Sequence, residues 1–125
     1  MNVVDSSAWL EYFANGPNAR FFSKAIEDIP NLVIPSLVIF EVFKRVLQQR
    51  SEGDALQAIA VMRQGRVVDL DTQIALTAAK LSVDLRLPLA DSVVLATARL
   101  SDAVLWTQDA DFESLPMVQY RRRKS

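Results

Sequence analysis

The segment Asn2-Val3-Val4-Asp5-Ser6-Ser7-Ala8-Trp9-Leu10 decides how the rest of the chain is interpreted. Its apolar start predicts a short buried strand over residues 2–5, and the residues that follow predict a helix over 6–14. Asp5 stands where the strand ends and the helix begins. Burying an unpaired carboxylate costs several kcal/mol, so an acid at this position needs an explanation.

Three more acids lie inside or beside strongly apolar stretches. They are Glu41 within the stretch 37–43, Asp91 just after Pro88-Leu89-Ala90, and Asp109 just after the stretch 103–107. Four such acids are explained together if they converge and share a counter-charge. A divalent cation is the natural counter-charge for a group of carboxylates.

Short apolar strands alternate with helices along the chain. After the first strand, strands are predicted at 32–34, 67–70, 103–107 and 117–120, without regular alternation of polar residues. Strands of this kind are buried on both faces, so we predict an α/β domain with a central, mostly parallel sheet of four to five strands. Residues 1–125 are predicted to form a single domain that ends in a basic, flexible tail over 121–125.

The helices between these strands bear on where the acids lie. Ser36 is predicted to cap a long helix that reaches about Gln49, and residues 51–54 are predicted to separate it from a helix over 55–64. In parallel sheets, functional sites lie at the carboxyl ends of the strands. Because Asp5 ends one strand and Asp109 closely follows another, we predict that one edge of the sheet gathers all four acids.

The composition excludes several kinds of chemistry. The chain of 125 residues contains no His and no Cys, which excludes Ser-His-Asp triads, cysteine nucleophiles and ordinary zinc sites. Its three glycines form no nucleotide-binding fingerprint, and its formal net charge is −1. No apolar run approaches the roughly 20 residues that cross a bilayer, and the N-terminus does not resemble a signal peptide. A cytoplasmic protein is therefore expected.

Each acid also has an ordinary structural explanation. Asp5 and Asp109 could cap the helices that follow them, and Asp91 could complement a helix dipole. Glu41 lies within a helix, where capping does not explain it, although a surface pair with Arg45 would. Asp111 is a fifth candidate, as a ligand, as a support for Asp109 or as a cap.

A site of carboxylates without imidazole favours a hard cation, which would be Mg²⁺, with Mn²⁺ as its substitute. Such an ion would orient a phosphodiester and activate a water for attack on it, with a further carboxylate accepting the proton. Hydroxyl groups near the acids are predicted to donate hydrogen bonds to them or to that water. These hydroxyls belong to Ser6, Ser7, Ser92 and Thr107.

The acid-containing segments resemble those of PIN-domain ribonucleases, and specifically the VapC-type toxins of bacterial toxin–antitoxin pairs. The similar segments, in family order and spacing, are 4–10, 40–42, 87–98 and 105–112. The resemblance implies a three-layer α/β/α sandwich, Mg²⁺-dependent endonucleolytic cleavage of RNA, a homodimer and an antitoxin protein that blocks the site.

The same resemblance assigns roles to the acids. Asp5 and Asp91 would be the main metal ligands, and Glu41 and Asp109 would complete the catalytic cluster, with Asp111 supporting or replacing Asp109. The apolar first and third helices would leave surface for the dimer.

Two alternative functions remain. A phosphatase of the haloacid-dehalogenase type would carry a second Asp two residues after Asp5, where this chain has Ser7. The other alternative is a PIN-like module that binds RNA or protein without catalysis, although the complete set of acids argues against it.

Overall fold

The structure is a computed structural model, and it describes residues 1–124. Five strands form its sheet: β1 Asn2–Val4, β2 Leu32–Pro35, β3 Arg66–Val68, β4 Val104–Thr107 and β5 Val118–Tyr120. Six α-helices connect them: α1 Ser6–Phe13, α2 Ala19–Ile26, α3 Ser36–Gln49, α4 Glu52–Met62, α5 Thr72–Leu85 and α6 Leu89–Leu100. Short 3₁₀ turns over Ile29–Asn31 and Ala110–Phe112 precede β2 and follow β4.

The five strands are all parallel and lie in the order β3-β2-β1-β4-β5. Strand β1 is central, and Val3 pairs with Val33 of β2 on one side and with Leu105 of β4 on the other. Strands β2 and β3 follow one another outward on one side of β1, and β4 and β5 lie on its other side. The strand order therefore reverses between β1 and β4.

Helices cover both faces of the sheet. Helix α1 packs on α2 and α3, and α3 packs on α4, whereas α5 packs on α6 and α6 contacts β1, β2 and β4. Right-handed crossovers in opposite directions place the two groups of helices on opposite faces. The predicted three-layer α/β/α fold with a parallel sheet is confirmed.

The core explains why the strands lack alternation. All four residues of β2 are buried, and Val3 and Val4 of β1 have no exposed surface. Trp9 of α1 and Phe22 of α2 pack into the same core. Burial on both faces favours the near-continuous apolar strands seen in the sequence.

Several predicted boundaries differ from the structure. Ser36 does not cap α3: the N-cap is Pro35, and the Ser36 hydroxyl instead accepts a hydrogen bond from the Leu70 N–H at 3.2 Å. Helix α4 starts at Glu52 rather than at residue 55, because Ser51 caps it by accepting from the Asp54 N–H at 3.1 Å. Strand β3 spans 66–68 rather than 67–70.

The basic tail contacts the domain through its first two residues. The Arg121 N–H donates to the Thr107 carbonyl at 3.0 Å, and the Arg122 carbonyl accepts from Asn18 Nδ2 at 3.0 Å. The predicted flexibility of the tail stays a prediction, and its last residue, Ser125, lies outside the described residues. Within residues 1–124, none of the helices has the length and apolar character of a membrane span.

Candidate active site

The site lies at the carboxyl edge of the sheet, where the strand order reverses. Asp5 directly follows β1, and Asp109 follows the neighbouring strand β4 after one intervening residue. Parallel strands that are connected in opposite directions leave a crevice between them at this edge. The fold therefore brings together two acids that are more than a hundred positions apart in the chain.

Asp5 is buried and accepts three hydrogen bonds from protein donors. Its Oδ1 accepts from the Ser7 hydroxyl at 2.7 Å and from the Ala8 N–H at 3.1 Å. Its Oδ2 accepts a short hydrogen bond from the Thr107 hydroxyl. Burial raises the pKa of Asp5 to about 6, the three donors oppose that rise, and the charge of Asp109 adds to it.

Thr107, the last residue of β4, connects two of the acids. Its hydroxyl donates to Asp5 and accepts from the Asp109 N–H at 2.9 Å. Thr107 is completely buried, so this hydroxyl has little other choice of partner. A single side chain thus fixes the end of β1 relative to the turn after β4.

Three further acids form a compact cluster. One carboxylate oxygen each from Asp91, Asp109 and Asp111 lies within 4.8 Å of the others. Asp91 lies in the first turn of α6, and the short 3₁₀ turn after β4 presents Asp111 beside Asp109. The turn is held by the Asp111 N–H, which donates to Asp109 Oδ1 at 2.9 Å.

Repulsion within this cluster shows in the pKa of Asp91. Partial burial is the largest cause that raises this pKa to about 7, followed by the charge of Asp109, a hydrogen bond and charge from Asp111, and the charge of Asp5. Within residues 1–124, the only ion pair joins Arg50 to Asp54 on the surface. The acids therefore lack a protein cation, and the donor set fits a hard divalent ion.

Glu41 does not join the compact cluster. It faces Ser6 at the start of α1, and partial burial raises its pKa while the Ser6 side chain lowers it. No ion pair links it to Arg45, so the surface-pair explanation does not apply among the described residues. Glu41 instead lines a groove of about 720 Å³, together with Ser6, Ser7 and Gln108.

Three of the ordinary explanations fit the structure, and they are compatible with the convergence of the acids. Asp5 caps α1 and Asp109 caps the following 3₁₀ turn, and both also contribute to the acidic site. Asp91 is in the first turn of α6, as a dipole-complementing acid would be. The role predicted for Ser92 is wrong, because its hydroxyl donates to the carbonyls of Leu87 and Pro88.

A buried amide pair beside the site was missed by the sequence reasoning. Asn18 Nδ2 donates to Gln108 Oε1 at 3.0 Å, and Gln108 Nε2 reaches the Ser7 carbonyl at 3.4 Å. The position of Gln108, between Thr107 and Asp109, was a usable signal for it. The sequence around Asn18 gave no such signal.

An acidic cluster at the switch point of a parallel α/β sheet is typical of metal-dependent enzymes that act on phosphate esters. The model of the PIN domain family matches residues 3–117. The chain therefore belongs to the PIN domain family.

Solved structures share this fold at low sequence identity. A toxin–antitoxin complex from Klebsiella pneumoniae matches with a TM-score of 0.79 and 23% identity, covering 95% of this chain and 96% of that one. VapC20 of Mycobacterium tuberculosis, described as a sarcin-ricin loop cleaving toxin, matches with a TM-score of 0.75 and 16% identity, covering 93% and 95%. No match was found among curated proteins. The predicted resemblance to the PIN family and to the fold of VapC toxins is confirmed.

Proposed function

We propose that this chain is a divalent-metal-dependent endoribonuclease and the toxin of a toxin–antitoxin pair. The observation that carries the proposal is the cluster of Asp91, Asp109 and Asp111, with Asp5 buried beside it and no cation paired with them among residues 1–124. Without a metal, this charge repels an RNA backbone. With a bound metal ion, the site attracts an RNA backbone.

Asp5 and Asp91 are the proposed main ligands of Mg²⁺ or Mn²⁺, with Asp109 and Asp111 completing the set. An ionised carboxylate offers about four acceptor positions, and protein donors occupy three of those on Asp5. One position is left for an ion. When bound, the ion would supply charge stabilisation for the phosphodiester and a lowered pKa for an attacking water.

Glu41 is the proposed proton acceptor of the site. It lines the groove and stands outside the compact cluster, so its oxygens are not shared with Asp91 or Asp109. Burial raises its pKa, which makes the carboxylate a stronger base than an exposed glutamate.

An antitoxin partner is supported by a second, more apolar groove. Its volume is about 400 Å³, and it lies between α1, α3 and α4, where Leu10, Phe13, Val46 and Val61 line it. A groove of this kind suits the apolar face of a partner helix. Several proteins that share the fold were solved as toxin–antitoxin complexes, among them VapBC from Salmonella typhimurium, which matches with a TM-score of 0.75 and 16% identity.

A homodimer is also proposed, although on a different surface from the one expected. Of the two helices expected to leave surface for the dimer, α1 has no large apolar residue among the exposed ones, whereas α3 exposes Phe40 and Leu47 by 59% and 45%. The most exposed apolar side chains are Leu76 and Val83 of α5 and Leu89 of α6, at 68%, 79% and 78% exposure. Contact with a second copy would remove them from water.

A cytoplasmic location is proposed for the toxin and its antitoxin.

The function is tested by incubating the purified chain with RNA in Mg²⁺, Mn²⁺ or EDTA. We expect endonucleolytic cleavage with either metal, none in EDTA, and none from Asp5→Asn or Asp91→Asn. Asp84→Asn is the matched control, since it removes an exposed acid of α5 and should leave cleavage intact. Cleavage that survives EDTA or both site variants contradicts the metal-dependent mechanism, whereas no cleavage with either metal contradicts the nuclease proposal and favours a non-catalytic binding module.

A further inference from the structure

The C-terminal segment 121–124, the described part of the basic tail, carries two cations to the groove beside the acids. We infer that Arg123 and Lys124 position single-stranded RNA by contacting phosphates next to the bond that is cut. This inference rests on the proposed nuclease function and names the residues that hold its substrate. The tail is then a positioning element of the site.

The path of the chain brings the segment to the site. Strand β5 is an edge strand that pairs in parallel with β4, so that Tyr120 lies opposite Thr107. The pairing continues one residue further, because the Arg121 N–H donates to the Thr107 carbonyl at 3.0 Å. The tail therefore leaves the sheet at the same carboxyl edge where Thr107 holds Asp5 and Asp109.

Two anchors hold the start of the segment. Asn18 Nδ2 donates to the Arg122 carbonyl and also to Gln108 Oε1, both at 3.0 Å, and both amide side chains are buried. The Arg121 guanidinium lies 4.2 Å from the centre of the Phe21 ring, and that ring packs 5.1 Å from Trp106 of β4. A cation over an aromatic ring is an attractive contact. These anchors fix the direction in which the next two residues extend.

The next two residues line the groove. Arg123 and Lys124 contribute to its surface, as do Lys44 and Arg45 of α3, so cations come from two separate elements. None of the four forms an ion pair with an acid of residues 1–124. Their charges are therefore available to phosphates.

The electrostatics of the chain make such cations necessary. The formal net charge is −1, and the acidic cluster adds a local repulsion for RNA. Association with a polyanion depends on cations at the site of contact rather than on the total charge. Basic residues beside the cluster would hold the strand while leaving the scissile phosphate to the acids and their metal.

The inference is tested on the full chain with the double variant Arg123→Ala/Lys124→Ala. Binding of a fluorescein-labelled single-stranded RNA is measured by anisotropy in EDTA, between roughly 50 and 200 mM salt, a range in which phosphate contacts dominate the affinity. Each lost phosphate contact should reduce the slope of log K against log salt by about 0.7, so the double variant should lose about 1.4. Arg123→Lys/Lys124→Arg keeps both charges and should restore the wild-type slope.

The matched control removes the same charge elsewhere. Arg63→Ala/Lys80→Ala changes two exposed basic residues, the C-cap of α4 and a residue of α5, both outside the groove, and should keep the wild-type slope. Asn18→Ala keeps both cations but removes the donor to the Arg122 carbonyl. It should raise the KM for RNA cleavage, because the segment is then no longer held beside the groove.

Unchanged slope and affinity in the Arg123/Lys124 double variant would overturn the inference. So would an effect confined to antitoxin binding, which would make the tail part of the protein interface. Because RNA binding is measured without metal, failure of the cleavage assay leaves this result interpretable. If the chain cuts RNA but the tail substitutions change neither its RNA affinity nor the salt slope, the inference is refuted and the nuclease proposal still stands.

Discussion

Replacing Asp5 with Asn should stabilise the metal-free protein at neutral pH. The carboxylate is 6% exposed, and burial raises its pKa from 3.8 to about 6. The folded state therefore binds a proton more tightly than the unfolded chain does. By linkage, the free energy of unfolding falls as the pH rises from about 4 to about 6, and the loss persists above that range.

The size of the effect follows from that pKa. A rise of about two units corresponds to roughly 3 kcal/mol at about 1.4 kcal/mol per unit. Asparagine keeps an acceptor for the Ala8 N–H and the Ser7 hydroxyl, but it turns a donor toward Thr107, which costs roughly 1 kcal/mol. The net gain above neutral pH is about 1–2 kcal/mol, or roughly 3–8 °C in Tm. It should vanish near pH 4, where the wild-type acid is protonated in the folded state.

The measurement is urea unfolding in EDTA across a pH series from about 4 to 8, the span set by the ordinary and raised pKa of Asp5. Asp84→Asn, the exposed control on α5, should follow the wild-type curve at every pH. Added Mg²⁺ should stabilise the wild type more than the Asp5→Asn variant, because the variant lacks a charged ligand. A variant that is less stable than wild type at pH 8, or a gain independent of pH, would refute the argument.

Three further outcomes are expected. Asp91→Asn should remove most of the thermal stabilisation by Mn²⁺ seen in a melt, and an undiminished shift would show that the ion binds elsewhere. Thr107→Val should lower the free energy of unfolding in urea by about 1–3 kcal/mol, because the Asp109 N–H loses its acceptor. The control Thr97→Val removes a buried hydroxyl that is bonded only to a helix carbonyl, and it should cost less. Equal losses in the two variants would show that Thr107 has no special role. Val83→Asp should convert a dimer to a monomer in sedimentation measurements without lowering Tm by more than a few degrees, and an unchanged sedimentation coefficient would place the interface elsewhere or exclude a dimer.

The sequence alone indicated the layers of the fold and the side of the sheet that carries the site. Apolar strands without alternation predict burial on both faces, and an acid directly after such a strand lies at its carboxyl end. Asp5 and Asp109 are predicted at the same edge, and the structure has them there. The prediction is correct because both the period of a strand and its end are local properties.

Contacts between distant elements were beyond the sequence pattern. The Ser36 hydroxyl was predicted to cap α3, but it accepts a hydrogen bond from the N–H of Leu70, 34 positions further along the chain. Asn18 and Gln108, ninety positions apart, form a buried pair, and nothing in the sequence around Asn18 indicated that partner. A polar side chain takes the partner that the fold brings near it, and several neighbours satisfy the same local pattern.

The composition of the acidic cluster was also decided in three dimensions. The sequence determined that buried acids need a shared counter-charge, since the energetic cost of burying each one is a property of the residue. The strand order β3-β2-β1-β4-β5 set Asp5 beside Asp109, and the 3₁₀ turn after β4 brought Asp111 level with Asp109 and Asp91. The same fold left Glu41 facing Ser6 and the groove. Which acids meet depends on the order of strands and the direction of turns, and these follow from packing of the whole chain rather than from any one segment.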